Sequence, residues 1–301
     1  MIQMKKAFIK LHIAIVLAGF TGIFGKLITL NEGLLAWYRI CLAAILLVVI
    51  LAATKKLQPV TFRDFGRISL AGFLLGLHWL FFYGSIKYSN ISVGVVCFSL
   101  AGFFTAIFSP LINRRKWVIS ELLLSLLTLA GILLIFSFDS QNRAGITLGV
   151  ISSMLGALYT ITNERLAHVH QSETVTVYSM IGGSLGLALL MPLYIHFFPV
   201  KSMIPSSSDL GYLVVLALFC TVLLYMLQTQ ALNRISAFTV NLSLNLEPVY
   251  TIILAILIYQ ENKELTSAFY LGLGLIMLSV VLQMGKVWKE NRQVVTPCSQ
   301  K

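Results

Sequence analysis

The sequence predicts an all-α integral membrane protein: ten transmembrane helices arranged as two inverted five-helix repeats, with both termini cytoplasmic. Three observations carry that prediction. The 301-residue chain is 58% hydrophobic and 11% charged, with a mean hydropathy of +0.88, whereas soluble domains average roughly 25% charged residues. Apolar windows of about 20 residues, the length of helix that crosses a bilayer core, recur along the whole chain. Lysine and arginine concentrate in alternate connections between those windows.

The composition also excludes function classes. A net charge of +11 and a pI of about 9.6 would suggest nucleic acid in a soluble protein. Here the basic residues sit in short links between apolar runs, and no stretch is left over for a soluble reader. The expected surroundings are therefore a lipid bilayer, with no nucleic-acid partner. Cys41, Cys97 and Cys220 lie inside apolar runs and Cys298 in the tail, with no CxxC or metal-ligand spacing, so they read as small apolar packers. His168, His170 and Glu173 form an HxHxxE in a short link, without further ligands. No GxxxxGK[ST] or HExxH occurs. No cofactor is predicted, and the chain does not read as an enzyme.

Taken in order, the predicted spans are 8–30, 33–53, 68–88, 91–112, 119–138, 144–166, 174–197, 210–231, 236–259 and 266–285. Lys5, Lys6 and Lys10 before the first run suggest a signal peptide. The run continues to about Leu30 with no small-x-small cleavage site, so it reads as a retained helix. The second span carries Arg39 and the third His78, with Lys87 and Tyr88 at its end. The short connections make successive helices antiparallel. With the N-terminus inside, sixteen of the 22 basic residues fall on the cytoplasmic side, and only Arg143, Lys201 and Lys263 in outer loops. Small-xxx-small spacings (Gly72 with Gly76, Gly145 with Gly149, Gly182 with Gly186) let helices approach closely.

The halves repeat. "NISVGVVCFSLAGFFTAIFSPLINRRK" from Asn90 and "RISAFTVNLSLNLEPVYTIILAILIYQ" from Arg234 share Ile-Ser pairs at an offset of 144 residues, which sets Ser99-Leu100 on Ser243-Leu244. Five spans per half is odd, so the halves lie upside down relative to each other. Inverted repeats with a midplane site between them are a recurring plan of secondary transporters. The repeats are read as 1–143 and 144–290, with a short cytoplasmic tail at 291–301. At the same offset Pro248 and Glu261 meet Phe104 and Trp117, so span 4 lacks a proline at the position where span 9 has its kink.

The order of three stretches resembles the EamA-type transporters of the drug/metabolite transporter superfamily. They are "FGKLITLNEGLLAWYRICLAA", "HWLFFYGSIKYSNISVGV" and "QALNRISAFTVNLSLNLEPVYTIILAILIYQENKELTSAFYLGLGLIML". The last holds Pro248, then Glu261 thirteen residues on, then a glycine-rich final helix. The resemblance implies a metabolite or amino-acid exporter of the cell membrane, with spans 3, 4, 8 and 9 lining its cavity. That makes Phe98, Ser99, Tyr225 and Gln228 candidate substrate contacts.

Ionisable groups at mid-bilayer cost roughly 2.5–3.5 kcal/mol each on insertion scales, so they face protein or water. Glu247 lies near the middle of span 9. At 100° per residue, Asn241, Asn245 and Pro248 share one face, with Ser243, Glu247 and Tyr250 roughly opposite. A helix polar on two sides is interior. Pro248 deprives the Leu244 carbonyl of its usual partner. That places substrate contact on the asparagine face and makes Glu247 a proton or packing residue, with inter-helix hydrogen bonding as the alternative for both faces. His78, flanked by Trp79 and Tyr83, reads as a ligand contact, a proton relay or a packed neutral ring. Lys87 reads as a snorkelling lysine or a positive rim, Arg39 as a buried ion pair or carbonyl clamp, and Lys26 as interfacial. Glu261 reads as a helix-end cap.

Two functions fit: a secondary transporter for a small-molecule substrate, or a transporter-like scaffold or receptor without transport. The doubly polar span 9 favours the first.

Overall fold

The computed structural model describes residues 2–136, 142–200, 202–260 and 266–293, and among them it is helical without strands. The helices are α1 (Ile2–Gly19), α2 (Thr21–Leu27), α3 (Glu32–Ala53), α4 (Phe62–Lys87), α5 (Ile91–Phe98), α6 (Leu100–Asn113) and α7 (Ile119–Phe136), then α8 (Arg143–Ala167), α9 (Ser172–Phe197), α10 (Ser207–Ala217), α11 (Leu224–Leu232), α12 (Ala237–Ser243), α13 (Glu247–Tyr259) and α14 (Ser267–Gln293). Among the described residues nine helical segments are long and apolar enough to cross a membrane, and a shorter apolar helix occupies the fifth predicted span. The chain is a multi-pass membrane protein. Glu261, Lys201, Lys263 and Cys298 lie outside the described residues.

The glycine spacings work inside the bundle. A Cβ on Gly72 would sit 1.8 Å from the Ser179 carbonyl oxygen, and one on Gly182 2.3 Å from the Ser69 backbone, so α4 and α9 meet backbone to backbone. Gly145 and Gly149 bring α8 against the side chains of Ser89 and Cys97.

Four spans are discontinuous, and each break has a chemical cause. In span 1 the Thr251 hydroxyl lies 2.9 Å from the Gly19 carbonyl, at the joint between α1 and α2, and 3.0 Å from the Glu247 carbonyl of its own helix. In span 4 the Ser153 hydroxyl lies 2.7 Å from the Cys97 carbonyl and 2.7 Å from the Gly149 carbonyl of its own helix, and the chain turns at Ser99 between α5 and α6. In span 8 a π-helical turn at Leu218–Leu223 separates α10 from α11, and the Arg39 guanidinium takes the Cys220 carbonyl at 2.5 Å. In span 9 a 3₁₀ turn at Leu244–Leu246 separates α12 from α13, whose first turn holds Pro248. A group inserted into a helical ladder, or a proline, is what kinks a helix.

Two expectations change here. Span 4, with no proline at the position aligned with Pro248, breaks at Ser99, at the residue aligned with Ser243 immediately before the break in span 9; the side chain of Ser153 reaches the Cys97 carbonyl there. The Leu244 carbonyl does not await a ligand, because it accepts the Glu247 N–H within the 3₁₀ turn.

Candidate functional site

The residues beside all four breaks converge on one cavity. Ala18 and Thr21 flank the joint of span 1, Phe98 precedes that of span 4, and Leu224 and Tyr225 follow the π turn. Leu244 and Glu247 bracket the 3₁₀ turn. Broken helices are tolerated at membrane depth where they line a cavity.

Helix α4 supplies one wall. Leu75, His78, Trp79 and Phe82 fall at the i, i+3, i+4, i+7 positions of one face, and all four line the cavity. The Ser152 carbonyl accepts from His78 Nδ1 at 3.0 Å, with the Ser152 hydroxyl 2.8 Å from the same nitrogen. That hydroxyl donates to the His78 carbonyl at 3.0 Å. A hydrogen on Nδ1 satisfies the whole set and leaves Nε2 as the other ring nitrogen to act as acceptor. The His78 ring lies 4.8 Å from that of Phe98, centroid to centroid. Gly156 of α8 makes room for both, since a Cβ there would be 2.8 Å from the Phe98 ring and 3.3 Å from His78 Nδ1.

Arg39 crosses from span 2 and is 1% exposed. Its Nε donates to the Thr221 hydroxyl at 2.8 Å and its Nη1 to the Tyr83 hydroxyl at 2.7 Å, while Nη2 holds the Cys220 carbonyl. The guanidinium stacks over Trp79, 3.9 Å from the ring centroid. Three of its five N–H groups are thereby placed. Trp79 Nε1 donates to the Tyr225 hydroxyl at 3.2 Å, and Tyr159 lies edge-on to Tyr225 with centroids 5.7 Å apart.

Glu247 of span 9 also lines the cavity and is 4% exposed. Among the described residues its carboxyl group, like the Gln228 amide, has no hydrogen-bond partner. The charge that bears on it is Arg39. The result is an aromatic-walled chamber with a tethered cation, an uncommitted carboxyl group, an amide and an imidazole.

The structure thus brings together Arg39, His78, Trp79, Phe98, Tyr225, Gln228 and Glu247. It leaves the other sequence candidates outside the lining. Tyr83 sits behind Trp79 as an acceptor for Arg39. Asn241 donates to Thr105 at 2.7 Å and accepts from Thr160 at 3.0 Å, tying spans 4, 6 and 9 together. Asn245 is buried with its Nδ2 unpartnered, and so is the Ser99 hydroxyl. The Glu247 face, not the asparagine face, meets the cavity. Lys87 donates to the carbonyls of Ile28 (3.2 Å) and Leu30 at the end of the bundle. Lys26 lies 4.4 Å from the Tyr259 ring centroid. His170 reaches Asp64, not His168 or Glu173, and among the described residues no group of three His, Cys, Asp or Glu side chains converges. Thr21, Gly156, Tyr159 and Thr160 line the cavity without having been read from the sequence. Gly156, Tyr159 and Thr160 stand at i, i+3, i+4, a small-polar face that was the available signal.

Apolar spanning helices wrapped around a polar central cavity and broken beside it define the class: a multi-pass membrane transport protein. The family model described as "EamA-like transporter family" matches residues 5–137 and again 143–284. The chain belongs to that family. It is similar to an uncharacterized transporter of Haemophilus influenzae, 24% identical over 84% of this chain and 85% of that protein. It is also similar to the uncharacterized transporter YyaM of Bacillus subtilis, 25% identical over 92% and 96%. A solved structure titled only as a crystal structure of a protein shares the fold, with a TM-score of 0.68 over 92% of this chain and 96% of that one at 16% identity. Family and relatives alike are transporters, not enzymes.

Proposed function

We propose that the protein is a secondary transporter that exports amino acids or other small metabolites by alternating access at the interface of two inverted five-helix repeats. Ten spans with both termini cytoplasmic, in a bacterial cytoplasmic membrane, fit the distribution of lysine and arginine. The observation that carries the reading is the Glu247 carboxyl group. It faces the central cavity with no hydrogen-bond partner among the described residues and with Arg39 as its counter-charge. Intramembrane ionisable groups are costly and mark substrate or ion pathways. Arg39 and Glu247 suit the two ends of a small polar solute, and the ring wall suits its apolar part. Glu247 and His78 are the groups through which a proton gradient would act.

The test is flux in proteoliposomes against a panel of amino acids and small metabolites, with and without a pH gradient. At least one solute moves, and Glu247→Gln removes the part driven by the gradient. Full gradient-driven flux in that variant eliminates Glu247 as the proton site. A panel in which nothing moves favours the scaffold or receptor reading.

A further inference from the structure

Outside the cavity, the two repeats touch through a reciprocal set of contacts. Helix α4 opens with Thr61-Phe62-Arg63-Asp64, and α10 opens with Ser206-Ser207-Ser208-Asp209. Each is a cap in which the hydroxyl accepts the aspartate N–H, at 3.2 Å and 3.1 Å. A cap alone keeps its carboxylate local. Both of these carboxylates also reach into the other repeat. Asp209 accepts from the Thr29 N–H at 2.8 Å and from its hydroxyl at 2.7 Å, in the link between α2 and α3. Asp64 lies 3.8 Å from His170 Nε2, in the link between α8 and α9.

A second pair follows the same rule. The Tyr38 hydroxyl of α3 donates to the Met203 carbonyl at 3.0 Å, and the Tyr178 hydroxyl of α9 donates to the Gln58 carbonyl at 2.9 Å. Gln58 and Met203 precede the two capped aspartates by six residues each. Tyr38 and Tyr178 each follow the first residue of their helix, Glu32 and Ser172, by six. Thr29, Tyr38, Met203 and Asp209 lie at one end of the bundle. Gln58, Asp64, His170 and Tyr178 lie at the other.

We propose that these are two gate clasps related by the inverted repeat, one at each membrane face, and that each must release for the cavity to open to its own face. The inference rests on the transport reading and adds the elements that do the gating. The clasps are not equal. Asp209 is 2% exposed and makes two short cross-repeat hydrogen bonds, whereas the Asp64 and His170 side chains are 26% and 19% exposed and meet at 3.8 Å. The Asp64 face opens more readily.

The test needs no known substrate. Ala18, which lines the cavity, is replaced by cysteine in a chain whose own cysteines are changed to serine. A membrane-impermeant maleimide is then applied to right-side-out and to inside-out membrane vesicles. Asp209→Asn raises labelling from the Thr29 face by about tenfold and Tyr38→Phe by about fivefold, on the scale of one lost hydrogen bond. Labelling from the opposite face does not rise. Asp64→Asn and Tyr178→Phe do the reverse. Because the tyrosine changes remove one oxygen each, they keep the test valid if an aspartate variant fails to fold. Unchanged labelling, or a rise from both faces together, overturns the proposal. Face-specific shifts in a protein that moves no solute keep the clasps and sink the transport reading; solute flux with unchanged labelling does the opposite.

Discussion

Replacing Arg39 with methionine is the most informative single perturbation of the bundle. Methionine keeps most of the apolar stem and removes the whole guanidinium. The Thr221 hydroxyl retains a partner, because it also donates to the Leu216 carbonyl at 2.9 Å. The Cys220 carbonyl in the π turn and the Tyr83 hydroxyl lose theirs, and Trp79 loses the cation over its face. Glu247 loses its counter-charge. Each orphaned buried polar group costs about 1–3 kcal/mol. Losing a desolvated cation from the face of a ring costs about 2 kcal/mol. These overlap rather than add, so the expected loss is about 4 kcal/mol. At roughly 2 °C per kcal/mol for a chain of this size, Tm in detergent falls by about 8 °C, read from Trp fluorescence. Arg39→Lys falls in between, since an ammonium keeps the charge but not the fork that reaches three acceptors. The double variant Arg39→Met/Glu247→Gln loses less than the sum of the singles, because the two charges are coupled. A Tm for Arg39→Met within about 2 °C of wild type, on the same scale, or strict additivity in the cycle, refutes the reasoning.

Asn241→Ala cuts the bridge from Thr105 to Thr160 and lowers stability by about 1 kcal/mol, a Tm drop of about 2 °C, while leaving substrate affinity nearly unchanged. A large affinity loss in equilibrium binding would return Asn241 to the cavity wall. Gly156→Leu fills the space between His78 and Phe98 and lowers flux by about tenfold or more, at a stability cost of about 1–3 kcal/mol; vesicle uptake and a thermal melt check the two halves. Ser153→Ala returns the Cys97 carbonyl to the helical ladder and straightens span 4 at Ser99, which spin-label distances across the joint report as a lengthened helix.

Much of the fold was legible because hydropathy and the bilayer impose the same length scale. The spans, the Lys and Arg asymmetry and the interior position of span 9 follow from that alone. What escaped depended on partners far away in the chain. No local signal announces the break at Ser99, because it is made by Ser153 on another helix; Pro248 announces its own. The π turn in span 8 escaped too, since Arg39, from the other repeat, takes its carbonyl. The choice between the two polar faces of span 9 was not legible locally, because both faces are buried and what each one meets is set by other spans: Asn241 finds Thr105 and Thr160, and Glu247 finds the cavity. The assumption that the freed Leu244 carbonyl points to a ligand failed because the 3₁₀ turn closes that carbonyl locally.

The central claim is that solute crosses the membrane through the cavity between Arg39 and Glu247. It is tested most directly by uptake into proteoliposomes for wild type, Gly156→Leu and Glu247→Gln, matched for folded protein, with one solute from the panel as tracer and an internal pool to drive counterflow. The account predicts rapid wild-type counterflow, at least a tenfold loss when Gly156→Leu fills the chamber, and a loss of the pH-driven component in Glu247→Gln. Counterflow that persists at the wild-type rate with the chamber filled contradicts it.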